Sequence, residues 1–326
     1  MDDKRKNKLL KIYDEIASER ERYIILYKSI DEFQFELEKT FDRHINVQPT
    51  FDKQVDVFLK ILPNYVQTKV VHLGYMEALR TNDYRYLDRS LNTYVKLSML
   101  SVLQCGVDHC ISANKRIPYL FTLKRFKDIE KVYPKECGLS KGSYWTNIAT
   151  NIIMYLYYKE DAWKEEVFAK VEKYLKKKDP LEYQSIVKAL LALVHKDFES
   201  FSLELSNICK GRKKSKQFGE NQFSKSVSFF SLGLYNFAKY LYPVEVNQIT
   251  LPTDDNFLMD YLLYQQDVST LDDGYILQFN EKLHVLKTAF KVDAPNISLM
   301  KNGRTCEVDY LTYHDKLVKR IMVLNN

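Results

Sequence analysis

The sequence predicts an all-α protein, a multi-helix bundle or helical-repeat-like stack with a small β-hairpin near the C-terminus. Apolar residues recur at three- and four-residue spacing along most of the chain. Only nine Gly and eight Pro punctuate its 326 residues, which leaves few breaks for a many-stranded β fold. The dipeptide Asn302-Gly303 suits a type I′ turn and predicts the hairpin. We therefore expect most residues to be helical and strand to be confined to short pieces.

The pattern of the N-terminal third predicts long helices. Helical spacing of apolar residues runs from Leu9 to Phe41, with one lapse at Glu19-Arg20, so this stretch is one helix or two. The same spacing continues over residues 51–79, with an interruption near Pro63, and over residues 84–107. These patterns predict at least three successive helices.

Residues 162–178 give the clearest helix of the middle region. Acids fill its beginning and Lys176-Lys177-Lys178 its end, which suits the helix dipole, and Asp179-Pro180 stops it. Asp197 is a good N-cap for the helix that follows it. Residues 211–225 are polar with two glycines and predict an exposed loop. The further predicted helices cover residues 181–194, 198–209, 226–242 and 314–323.

The length of the chain bounds its domain organisation. At 326 residues it exceeds the usual size of one domain. We expect either a single helical domain over residues 1–326 or two packed halves, residues 1–140 and 141–326.

Signals for targeting and for membranes are absent from the sequence. The N-terminus is charged and lacks an apolar region, and the longest apolar runs are far too short for a membrane span. Five cysteines, odd in number and scattered, fit a reducing compartment better than a disulfide framework. The sequence therefore predicts a soluble, cytoplasmic protein with no membrane partner.

Motifs that would carry chemistry are weak. Cys105, His109 and Cys110 lie close together, but no second close pair completes four metal ligands. No glycine-rich loop follows a strand and opens a helix, and no nucleophile signature surrounds any cysteine. We expect no cofactor, no metal and no catalytic residues, although an active site assembled from distant helices stays open.

Charge is distributed unevenly. The formal net charge is +6, yet no Lys or Arg occurs between Lys239 and Lys282. We call residues 240–281 the acidic segment. Solvated helix faces are one explanation; a charged recognition surface with tyrosine anchors is the other. The residues predicted to contact a partner are Asp254, Asp255, Asp260, Tyr261, Tyr264, Asp267, Asp272 and Asp273.

Three segments carry a resemblance to a known family. A predicted helix over residues 94–105 precedes a break, residues 195–201 begin a helix with an acid-aromatic element, and an apolar helix at 232–238 leads to Leu251-Pro252. In these features the chain resembles the helical immunity-protein 49 family of bacterial polymorphic toxin systems, over residues 85–265. It departs from the family at residues 210–213, where a His-and-aromatic stretch is expected.

The resemblance implies a non-catalytic antidote that binds and occludes a cognate protein toxin, with no catalytic residues to carry over. A rival from another class is a nucleic-acid-binding protein that uses the basic segments 115–141 and 210–225. Its stacking residues would be Phe121, Phe126 or Phe218. Neither segment belongs to a known nucleic-acid motif, and the pI of 8.7 is only mildly basic, so the sequence favours the protein partner.

Overall fold

The computed structural model describes residues 3–19, 26–62, 68–101, 108–216, 221–303 and 305–325. In this part of the chain helices dominate and strand is limited to one two-stranded hairpin, which confirms the all-α prediction. The helices and strands are α1 (Asp3–Glu19), α2 (Ile30–Thr40), α3 (Phe51–Ile61), α4 (Lys69–Thr81), α5 (Arg85–Leu100), α6 (His109–Thr122), α7 (Ile129–Val132), α8 (Trp145–Tyr158), α9 (Lys164–Leu175), α10 (Leu181–His195), α11 (Phe198–Lys213), α12 (Gln222–Lys225), α13 (Phe229–Leu241), α14 (Met259–Asp267), α15 (His284–Lys291), β1 (Leu299–Asn302), β2 (Thr305–Val308) and α16 (Tyr310–Asn325). Among the described helices, none combines the length and the apolar character needed to cross a bilayer.

The chain divides into two compact units whose boundaries differ from the halves 1–140 and 141–326. Unit 1 comprises residues 1–103, 263–298 and 309–326; unit 2 comprises residues 104–262 and 299–308. The difference arises because the C-terminal part returns to the N-terminal helices. The Tyr313 hydroxyl donates to the Met99 carbonyl at 2.5 Å, and the Lys96 ammonium donates to the Val292 carbonyl at 2.5 Å.

Unit 1 is organised around the pair α4 and α5. Asn82 ends α4 in the left-handed conformation, with φ of 55°, and lets the chain turn back into α5. The two helices approach closely at Gly74, where a Cβ atom would lie 2.0 Å from the Ser90 hydroxyl oxygen. Polar side chains of α5 then hold the returning chain: the Asn92 amide donates to the Asp272 carbonyl at 2.7 Å.

Unit 2 is built from α6, α8, α10, α11 and α13. Helix α13 packs against α6 at Gly233, where a Cβ atom would lie 2.7 Å from the Pro118 carbonyl oxygen. The buried Asn236 amide donates to the Phe121 carbonyl at 3.2 Å and to the Thr122 carbonyl at 3.3 Å. It thus adds side-chain hydrogen bonds to the last carbonyl groups of α6.

A buried polar network joins α6 to α8. Asp108 caps α6 by accepting from the Cys110 N–H at 2.9 Å, and the Asn147 amide donates to Asp108 at 3.1 Å. The Asn151 side chain bonds both backbone groups of Ser140: it accepts from the Ser140 N–H at 2.9 Å and donates to the Ser140 carbonyl at 3.0 Å. Because buried polar groups are costly when unpaired, this network fixes the segment before α8.

The prediction of an exposed loop over residues 211–225 is wrong at both ends of this segment, within the part that the structure describes. Helix α11 continues to Lys213, and α12 follows after a gap in the described residues. Gly211 is buried, and a Cβ atom there would lie 2.4 Å from the Glu182 backbone nitrogen. The glycine therefore permits close packing of α11 on α10 and does not mark a turn.

The hairpin forms where predicted, with its register shifted by one residue. Asn302 pairs with Thr305 and is the last residue of β1, so it is not the first residue of the turn. Gly303 supplies the positive φ, at 57°. The predicted breaks at Arg20 and Pro63 lie outside the described residues.

Candidate interaction surfaces

Three acids of the predicted contact set already have basic partners inside the protein. The Asp272 carboxylate lies 2.8 Å from the Arg89 guanidinium and accepts from the Gly274 N–H at 2.8 Å. The Arg89 hydrogen bond is the main cause that lowers the pKa of Asp272 against the opposing effect of burial. Asp254 and Asp255 both pair with Lys213. These acids hold their own chain in place.

The other acids differ in exposure and in unit. Asp267 and Asp273 are exposed in unit 1, whereas Asp260 is half-buried in unit 2. The acidic segment therefore does not belong to a single compact unit.

The two tyrosines predicted to anchor a partner make contacts inside the protein. Tyr261 is 1% exposed, so the prediction that it anchors a partner is wrong. The half-buried Tyr264 donates its hydroxyl to the buried Asp88 carboxylate at 2.8 Å. Burial, and then this hydrogen bond, raise the pKa of Tyr264. The Tyr264 hydroxyl thus holds the end of α14 to α5 within unit 1.

The Cys–His cluster is also interior. Cys105 lies outside the described residues, and His109 and Cys110 are buried. Burial lowers the pKa of His109 to about 4 and raises the pKa of Cys110 to about 12. His109 is therefore neutral and Cys110 a thiol at neutral pH, and thiols are poor nucleophiles and ligands. The described residues contain no group of acids, His and Cys arranged to hold a metal ion.

The basic segment 115–141 is largely neutralised by neighbouring acids. Lys135 pairs with Glu160 at 2.7 Å, and Lys141 pairs with Glu166 at 2.7 Å. Its two phenylalanines, Phe121 and Phe126, are buried, so the prediction that they stack on bases is wrong. Phe218 lies outside the described residues.

A partly exposed aromatic cluster that sequence reasoning missed lies at one end of unit 2. Tyr240 on α13 is 46% exposed and stacks on Phe126 with ring centroids 4.4 Å apart. Tyr157 on α8 lies nearly parallel to Tyr240, at 6.4 Å, and meets Tyr158 edge-on at 5.0 Å. We call Tyr157, Tyr158 and Tyr240 the tyrosine surface.

The tyrosine surface rests on a rigid base. Beneath Tyr240, the rings of Phe121 and Phe237 are fully buried and stacked at 4.3 Å, and Phe126 contacts both. The Tyr157 hydroxyl donates to the Glu130 carboxylate at 2.8 Å. Burial, followed by this hydrogen bond, raises the pKa of Tyr157. The exposed Tyr240 ring and the half-buried Tyr157 ring are therefore held in fixed positions.

Charged pairs border the same surface. Arg125 and Asp128, on either side of the stretch that carries Phe126, lie 2.5 Å apart. Lys135 and Glu160 form the second pair, close in sequence to Tyr158. An aromatic centre with a charged border is the usual anatomy of a protein–protein interface. The only signal in the sequence was the crowding of tyrosines at the ends of two helices, at 155–158 and 240–242.

No protein-family model, no curated protein and no solved structure matches this chain.

Proposed function

We propose that the chain is a non-catalytic immunity protein, an antidote that binds and occludes a cognate bacterial toxin in the cytoplasm. We further propose that the tyrosine surface is its binding site. The observation that carries the proposal is the exposed Tyr240 ring, stacked on the buried Phe126. The resemblance to the helical immunity-protein 49 family supplies the class of partner.

Tyrosine suits this task for energetic reasons. A tyrosine ring buries a large apolar area while only two torsions are fixed, so the loss of entropy on binding is small. Here Phe126 and the Glu130 hydrogen bond fix two of the rings before any partner arrives. Binding therefore costs little further ordering, and the interaction energy appears as affinity.

Occlusion needs no reacting group. An antidote blocks the active site of a toxin, or the surface that the toxin uses, simply by covering it. A preorganised surface loses little freedom on binding, and the resulting gain in affinity appears mostly as a slower dissociation rate. The charged pairs at the border, such as Arg125 with Asp128, are satisfied within the chain and form a polar rim around the aromatic centre.

The test is a binding titration against the proposed cognate toxin. We expect Tyr240→Ala and Tyr157→Ala each to weaken binding by about 2 kcal/mol, roughly 30-fold, as for interface hot spots. Phe35→Ala is the matched control, because Phe35 is an aromatic residue in unit 1 that is 61% exposed. Unchanged affinity in both tyrosine variants, or an equal loss in Phe35→Ala, would rule out the proposed surface.

A further inference from the structure

A second end of unit 2 gathers the ends of several helices. Helices α8 and α10 begin there, and α9 and α11 end there, beside α12. The Lys177 ammonium donates to the Ser143 carbonyl at 3.0 Å, and Arg212 donates to the Ser224 carbonyl at 3.1 Å. Arg212 also lies 3.7 Å from the Glu182 carboxylate. We call this end, formed by residues 143–145, 177–183 and 210–216 with α12, the basic end.

The basic end has positive charge that nearby acids do not neutralise. Glu182 faces Arg212, Asp254 and Asp255 face Lys213, and the Asp179 carboxylate accepts from the Tyr174 hydroxyl at 2.7 Å. Other lysines remain, and within the described part of the chain none of them has an ion pair. These lysines are Lys178, Lys210, Lys214, Lys216 and Lys225. All are exposed except Lys225, which is half-buried.

Aromatic rings belong to the same end of unit 2. Tyr144 is 72% exposed, and its N–H donates to the Asn147 side chain at 3.2 Å, which fixes the backbone at the start of α8. Next to it, the half-buried Trp145 and Tyr183 are stacked, with centroids 4.5 Å apart and planes 10° from parallel. Flat rings with exposed area and lysines without ion pairs thus lie at the same end of unit 2.

We propose that the basic end binds single-stranded nucleic acid. The phosphates lie on the lysines, and unpaired bases stack on Tyr144 and on the exposed part of the Trp145–Tyr183 pair. Stacking requires base faces that a duplex conceals, so the aromatic rings select single strands. An acidic protein would form ion pairs with the lysines but would supply no flat bases to stack on these rings.

This inference does not rest on the proposed immunity function. Trp145 at one end of α8 and Tyr157 at the other are separated by twelve residues, which is about 18 Å along the helix axis. The two surfaces therefore bind their partners through different side chains, and each can fail without the other.

The test uses a fluorescein-labelled oligothymidylate of about 20 nucleotides, longer than one typical binding site. The chain has two tryptophans, so Trp163→Phe leaves Trp145 as the single reporter. We expect quenching of Trp145 on binding. We also expect an affinity that falls with salt, with a logarithmic slope of about −3 for four or five phosphate contacts.

Charge variants check the lysines. The pair Lys214→Glu and Lys216→Glu should weaken binding and reduce the salt slope by about 1.4. Lys287 and Lys319 are exposed in unit 1, and the matched pair Lys287→Glu and Lys319→Glu should leave the affinity and the salt slope unchanged. All four side chains are exposed, so folding should be preserved, which melting curves verify.

Tyr144→Ala separates stacking from simple charge attraction. We expect at least fivefold weaker binding of the oligothymidylate, since each stacked base contributes on the order of 1–3 kcal/mol. Polyglutamate and a duplex of equal length serve as competing probes and should bind more weakly. If either competing probe bound with the same affinity as the oligothymidylate, or if Tyr144→Ala left the affinity unchanged, the site would be a general polyanion-binding surface. Either result would overturn the proposal.

Discussion

Lys213 joins the acidic segment to the basic end: its ammonium lies 3.7 Å from the Asp254 carboxylate and also contacts that of Asp255. The two regions of opposite charge, which look separate along the sequence, meet at one ion-pair cluster. The acids therefore reduce the positive charge of the basic end and do not form an independent surface there.

A first prediction follows from this cluster. Replacing both Asp254 and Asp255 with Asn should tighten binding of the oligothymidylate by about two- to fivefold at low salt, the range expected for exposed ion pairs. Asp267→Asn with Asp273→Asn, exposed acids of unit 1, should have no effect. Weaker binding after removal of Asp254 and Asp255 would show that these acids contact the ligand.

The close approach of α13 and α6 gives a second prediction. A Cβ atom at Gly233 would lie 2.7 Å from the Pro118 carbonyl and 3.2 Å from the Phe121 Cβ atom, so Gly233→Ala must push the helices apart. We expect a loss of about 1–3 kcal/mol in the free energy of unfolding, measured with urea, despite the better helix propensity of Ala. Lys239→Ala on the same helix should change the free energy of unfolding by less than about 0.5 kcal/mol. A neutral Gly233→Ala would mean that the two helices pack more loosely than these distances indicate.

A third prediction concerns the buried network before α8. Asn151→Ala removes the acceptor of the Ser140 N–H, while the Ser140 carbonyl keeps a hydrogen bond from Lys170. One buried donor is left unpaired, which should cost about 2 kcal/mol of unfolding free energy. Lys188→Ala on the exposed side of α10 is the comparison and should be close to neutral. Equal stability of both variants would contradict the network.

A fourth prediction concerns pH. The pKa of His109 is about 4 in the folded state, below the 6.5 of an unperturbed histidine, because burial disfavours the charged ring. The unfolded chain therefore takes up a proton between these values and the folded chain does not. Stability from this group is complete above pH 6.5 and decreases as pH falls, by about 2 kcal/mol between pH 7 and pH 5.

His109→Gln isolates this contribution. The variant lacks the titrating ring, so its unfolding free energy should vary less between pH 7 and pH 5 than that of the unmodified protein. Carboxylates contribute equally to both proteins in this range, and the difference belongs to His109. Identical pH profiles would show that the ring is hydrated in the folded state.

Local signals predicted the helices well. The acid-to-base gradient before Asp179-Pro180 and the N-cap at Asp197 act within a few residues, and the structure has α9 ending at Leu175 and Asp197 accepting from the Ser200 N–H at 3.0 Å. The prediction of a loop at Gly211 is wrong because a glycine that allows close helix packing cannot be distinguished in the sequence from a glycine in a loop. The distinction depends on α10, which no local pattern reveals.

The surfaces were beyond the reach of sequence reasoning for the same reason. Tyr157 and Tyr240 are far apart in the chain and meet only because α8 and α13 pack into one unit. Charge counting along the sequence favoured residues 254–273, but it does not show that Lys213 and Arg89 already pair with several of those acids. Exposure of Tyr144 and burial of Tyr261 likewise depend on tertiary packing.

Hydrogen–deuterium exchange of the protein with and without the proposed toxin partner tests the central claim most directly. We expect the toxin to slow exchange at Phe126–Asp128 and in the last turns of α8 and α13, around Tyr157 and Tyr240. The basic end around Tyr144 should exchange at the same rate in both states. Protection confined to residues 254–273 or to the basic end, with none at the tyrosine surface, would contradict the proposed binding site.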